Sequence, residues 1–194
     1  MNTFVKLIVG LGMLFFAALL FAGCQIKSGY DKAITLQEVT EKSWAQVENQ
    51  LQARYDLIPN LVETVKGFAA QEEEIFLGIA KSREAYFNAK SIPDKAKAAT
   101  GLEGVLSRLL VLNEKYPDLK SNESFLKLQD TLEGTERRIA VERKRYNDAV
   151  ASQNTFVKKL FGRFYASLAG VGEAEYFKVE EAAKSAPKVD FSKP

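Results

Sequence analysis

Cys24 is the only cysteine in the chain and ends the tetrapeptide Phe21-Ala22-Gly23-Cys24. A lone thiol cannot close a disulfide within the chain. Two small residues before it leave the backbone open to a peptidase, while the Cys24 sulfur is a site for acylation. Histidine is absent altogether. That removes a necessary residue type from Cys/His zinc sites, from Ser-His-Asp or Cys-His nucleophile pairs and from Glu-x-x-His di-metal bundles. Acid–base work would fall to carboxylates, lysine and tyrosine, with Tyr55, Glu63, Lys66 and Glu72 as candidates. Helical surfaces carry such residues routinely, and no pairing among them is readable. One polar and aromatic cluster stands out at a helix junction: Arg54, Tyr55, Asp56 and Asn60. A ligand or sensor site there is one expectation; helix capping and closure of the junction is the other. No cofactor and no metal site is expected.

The elements that must carry these residues begin with an apolar run. Residues 7–23 contain no charged side chain and follow Lys6. A positive start, an apolar middle and small residues at the end describe an export signal. Seventeen residues at 1.5 Å each cover about 26 Å, at the short end for a hydrocarbon core of about 30 Å. The tetrapeptide from Phe21 to Cys24 looks like a bacterial lipobox, with Phe21 where leucine is commoner. Residues 1–23 are therefore read either as a cleaved signal ending in a lipidated Cys24, palmitate being the typical acyl chain, or as an uncleaved single-pass anchor. Both readings put the remainder outside the cytoplasm, at the cell membrane or, from Gln25 after the cysteine, at an outer membrane. Residues 25–29 make a tether too short to let the folded part leave the bilayer.

Beyond the tether, apolar residues recur every three to four positions, the mark of amphipathic helices. The predicted helices run over 31–56, 59–90, 93–115 and 122–157, broken at Pro59, Pro93 and Pro117. A helical hairpin at Pro59 is the first reading and a continuous helix bent there is the second. Trp44, the single tryptophan, is read as a core anchor. Arg137, Arg138, Arg143, Lys144 and Arg145 make the fourth helix locally basic, which is read as ion pairing with neighbouring carboxylates or as a face toward anionic lipid. Phe161, Phe164 and Tyr165 beside Lys158, Lys159 and Arg163 either pack back on the bundle or sit at a headgroup layer. The net charge is only +2, which argues against nucleic acid as a partner.

Several long blocks occur in an order that resembles the LemA family. They are Trp44 to Gly67, Tyr116 to Gln129, Glu133 to Ala140, Tyr146 to Val150 and Pro187 to Phe191. The resemblance covers about residues 30–191 and implies an all-α fold, a four-helix up-and-down bundle behind an N-terminal membrane segment. It implies no catalytic residues. The expected function is a non-enzymatic, membrane-anchored helical scaffold or coiled-coil-like interaction module of the cell envelope. Its expected partners are membrane lipid and unidentified membrane-proximal envelope proteins.

Overall fold

The computed structural model describes residues 3–178, and within them the chain is helical without strands. The motif at Pro187–Phe191 and the remainder of the tail lie outside the described residues. Six helices follow in order: α1 (Thr3–Ala69), α2 (Glu73–Asn88), α3 (Ile92–Lys115), the single turn α4 (Pro117–Lys120), α5 (Glu123–Lys158) and α6 (Leu160–Ala169). They form two compact units, one of residues up to Lys42 with Asp148–Ala174, the other of Ser43–Asn147 with the residues from Glu175 on. Helices α1 and α5 contribute to both.

The hairpin expected at Pro59 is not formed. Helix α1 runs through Pro59 to Ala69 and turns only at residues 70–72. The reason lies in the phase of the apolar stripe. Val47, Leu51, Arg54, Ile58, Leu61 and Val65 are buried at alternating steps of four and three, while Pro59 is exposed. Its ring therefore projects away from the core-facing stripe, and the helix continues past it. The real turn is marked by Glu72, the one polar residue in the helical spacing Ile58, Leu61, Val65, Phe68, Glu72, Ile75, Ile79. Residues 25–29, read as a tether, are helical and belong to α1; they therefore advance about 1.5 Å each instead of the 3.3–3.6 Å of extended chain.

The other breaks fall as expected. Ser91 caps α3 by accepting a hydrogen bond from the Asp94 amide at 3.2 Å while its hydroxyl donates to the Asp94 carboxylate at 2.6 Å. Asn122 caps α5, its Oδ1 accepting from the Phe125 amide at 2.9 Å. In the larger unit the residues of α1, α2, α3 and α5 bury one apolar core that includes Tyr55, Ile79, Leu102, Leu109, Phe125 and Ile139. In the smaller unit Ala33, Ala166 and Val171 are buried together, with Ile34, Phe156 and Val157 against them.

Candidate functional site

Arg54 is 5% exposed, unusual for a guanidinium. It is held by carboxylates from two other helices, Glu103 of α3 at 3.5 Å and Glu136 of α5 at 3.0 Å. Arg143 of α5 adds a second cation to Glu103 at 3.3 Å. Burial raises the Glu103 carboxyl above its ordinary range, Glu136 raises it further, and Arg54 and Arg143 oppose the rise. Glu136 Oε2 is close to Arg54 but out of line for a hydrogen bond. Beside this cluster lies a cleft of about 290 Å³ whose lining also includes Ser107, Glu133 and Leu110. The arrangement cross-links α1, α3 and α5.

Tyr55, next in sequence, faces elsewhere. Its ring is fully buried and stacks on Tyr86 of α2 at 4.3 Å. Burial drives its phenol upward, with Tyr86 adding to the effect, and its hydroxyl has no hydrogen-bond partner among the described residues. Burial likewise raises Tyr86 to about 12. Asp56 and Asn60 are exposed; Asp56 accepts from Gln52 at 2.7 Å, and the Asn60 carbonyl accepts from Thr64. The four residues of the expected junction site are thus not gathered into one pocket. They lie within one helix, two turned inward and two outward, because the junction is not at Pro59. The acid–base candidates do not converge either: Glu63 and Lys66 are exposed on α1. Glu72 sits at the α1–α2 turn, bonded by Lys115 at 2.7 Å and Tyr116 at 2.9 Å. Those two hydrogen bonds, Lys115 first, hold its carboxyl below the ordinary range.

The sequence reading missed a set of amides on α5 that grip backbone. In the larger unit Asn147 donates to the Phe177 carbonyl at 3.1 Å and accepts from the Phe177 amide at 2.9 Å, while the Tyr146 hydroxyl donates to the Glu175 carbonyl at 2.6 Å. Phe177 is thereby seated against Trp44, with ring centroids 6.3 Å apart, and Tyr146 lies 5.3 Å from Trp44 on its other contact. Trp44 is half-buried and does serve this cluster as an anchor. Burial raises the Tyr146 phenol to about 12. In the smaller unit Asn154 holds Ala174 by the same two-bond grip, at 2.9 and 2.8 Å, and Gln153 donates to the Gly172 carbonyl at 2.8 Å. An asparagine amide presents an N–H and a C=O side by side, which matches the carbonyl and N–H of a single backbone residue.

Residues 43–191 match the sequence profile of the LemA family. The chain belongs to the LemA family. Among the described residues of this LemA-family protein, one helix is long and apolar enough to cross a membrane; it is α1, near its N-terminal end. Magnetosome protein MamQ 1 and Magnetosome protein MamQ 2 of Paramagnetospirillum magneticum are each 27% identical to it over 179 residues, covering 79% of this chain and 66% of the relative. Magnetosome protein MamQ of Magnetospirillum gryphiswaldense is 26% identical over 174 residues, covering 76% and 64%. The LemA-family chain thus spans just under two thirds of the length of these relatives. Its Tyr146-Asn147 pair, part of a block that carried the resemblance, is the pair that grips the segment at Glu175 and Phe177.

Proposed function

We propose that this LemA-family protein is a non-enzymatic interaction module tied to a membrane by its N-terminal segment, with the helical part outside the cytoplasm. The observation that carries the reading is the state of α1 between Leu11 and Phe21. Every large apolar side chain there is 55 to 72% exposed. Apolar surface of that extent with no protein over it calls for lipid. The functional groups favoured by sequence support a structural use: Arg54 cross-links three helices, Tyr55 is stacked in the core and Glu72 fastens a turn. The MamQ relatives are named for a cellular structure and not for a reaction, which supports the same reading.

Cys24 is exposed and directly follows the apolar run. In this proposal its sulfur carries the lipid that replaces the run after cleavage, and partners are other membrane-proximal envelope proteins. The test is Cys24→Ser expressed with a fatty-acid analogue. Loss of label together with a slower-migrating uncleaved precursor is expected; unchanged label and migration rules acylation out and leaves the helix itself as the anchor.

A second reading is favoured by the cleft beside Arg54. Its lining sets Arg54 among Glu103, Glu133 and Glu136, with Ser107 and apolar Leu106 and Leu132; Glu103 and Glu136 already pair with Arg54, so Glu133 is the carboxylate on which a small cationic ligand would rest. Binding to the folded form raises the midpoint of thermal unfolding by mass action. A screen of polyamines and basic amino acids in which no compound shifts that midpoint would remove the sensor reading.

A further inference from the structure

Helix α6 carries an apolar face that nothing in its unit covers. Leu160, Phe161, Phe164 and Leu168 are 83, 71, 57 and 56% exposed. At 100° per residue they occupy one arc about 100° wide. The opposite arc is the packed one, where Gly162 and Ala166 are buried. Gly162 lies so close to the Phe156 carbonyl that a Cβ there would overlap it, and Tyr165 packs on Gly29 of α1 closely enough to exclude a side chain at that position. The helix is therefore clamped between the end of α5 and α1, with its apolar side out.

Its position along α1 is informative. Phe156, just before α6, lies under the Lys32 ammonium at 5.8 Å, and Tyr165 meets Gly29. Gly29 follows the end of the apolar run at Gly23 by six residues, which is about 9 Å of helical rise. That height is about the depth of a headgroup layer, since the polar regions add roughly 5–8 Å on each side of the hydrocarbon core. The charges agree with such a place. Lys158 and Lys159 precede the helix, Arg163 is its only charged residue, and α6 has no acidic residue. Of the three cations, Lys158 pairs with Glu173 at 2.9 Å, while Lys159 and Arg163 are exposed.

We propose that α6 is an interfacial membrane helix, lying with Leu160, Phe161, Phe164 and Leu168 in the headgroup–acyl boundary of an anionic bilayer and with Lys159 and Arg163 on its phosphates. It makes a second membrane contact beside the N-terminal anchor, and rests on the anchored reading. The contact has the same height whether the anchor is the apolar helix or an acylated Cys24. An interfacial helix of this composition buries its apolar face about 5–10 Å deep, with basic residues adding attraction to anionic lipid.

The test places a reporter on that face. Full-length Phe164→Trp is reconstituted into phosphatidylcholine–phosphatidylglycerol vesicles whose acyl chains are brominated, with the unsubstituted protein, whose one tryptophan is Trp44, as the reference. The variant is expected to float with the vesicles, to emit at shorter wavelength than in detergent-free buffer with the anchor removed, and to lose about half of its added emission to bromine quenching. Trypsin cleavage after Lys159 and Arg163 is expected to slow in the same vesicles. A protein that floats while the added tryptophan stays unquenched and both sites stay open overturns the placement of α6 and leaves the anchor standing. The same exposed reporter with a chemically crosslinked dimer would assign the face to a second copy instead. A protein that does not float overturns both the anchor and the interfacial helix.

Discussion

At the scale of single residues, Arg54 shows how a buried charge is made tolerable. A guanidinium removed from water is stabilised only if carboxylates and hydrogen bonds replace the lost hydration, and Glu103 and Glu136 do so from two directions. Arg54→Met keeps the apolar stem and removes the cation shared by Glu103 and Glu136, leaving Arg143 on Glu103 alone. We predict a loss of about 2–4 kcal/mol by urea unfolding, toward the lower end because both carboxylates keep some water. Glu103 and Glu72 make opposite predictions for pH. Glu103 is held above its ordinary range, so the folded chain takes up its proton first and gains stability as pH falls through that interval. Glu72 is held below its ordinary range by Lys115 and Tyr116. Its contribution is present above the ordinary value and is lost as pH falls through the lowered one. Glu72→Gln should therefore flatten the acid limb of a stability–pH curve and Glu103→Gln should steepen it. Identical curves for the two variants would contradict these assignments.

Elements are where sequence and structure can be compared most usefully. The caps at Ser91 and Asn122 act over three residues, so their chemistry is local and readable. Pro59 was a stronger signal on its face, yet it stops nothing, because its effect depends on which side of the helix it occupies. The stripe that skips Pro59 and is interrupted by Glu72 carried that information. The grip of Asn147 and Asn154 was not readable, since each partner lies 20 or 30 residues away and an amide on a helix looks like any solvated polar residue. Asn147→Ala removes both bonds to Phe177 and should cost about 1–3 kcal/mol. Hydrogen exchange should show the Phe177 amide unprotected while α5 stays protected; retained protection would mean that Trp44 packing alone seats the segment. Gly162→Ala should force α6 away from the Phe156 carbonyl, a strain of about 1–3 kcal/mol. Its readout is faster trypsin cleavage after Arg163 in solution with the larger unit's exchange unchanged.

At the scale of the whole molecule, the all-α class, the LemA relationship and the apolar N-terminal segment were legible because each rests on long stretches of pattern. Function was not, since two of the charged groups that the sequence offered for it, Arg54 and Glu72, are used to join helices. Buried phenols provide a global probe of that packing. Tyr86 and Tyr146 ionise only near about 12 in the folded chain, so their stabilising share is complete below the ordinary tyrosine value and is lost as pH rises through the raised one. Tyrosinate absorbance from these two residues should appear together with the loss of helical dichroism; ionisation well before unfolding would contradict their burial. The central claim is that the helical part is held to a membrane by the residues before Gln25. Alkaline carbonate extraction of membranes tests it most directly, with the full chain compared against residues 25–194. The account predicts that the full chain stays in the pellet while the shortened chain, equally helical, goes to the supernatant. Release of the full chain into the carbonate wash would contradict it.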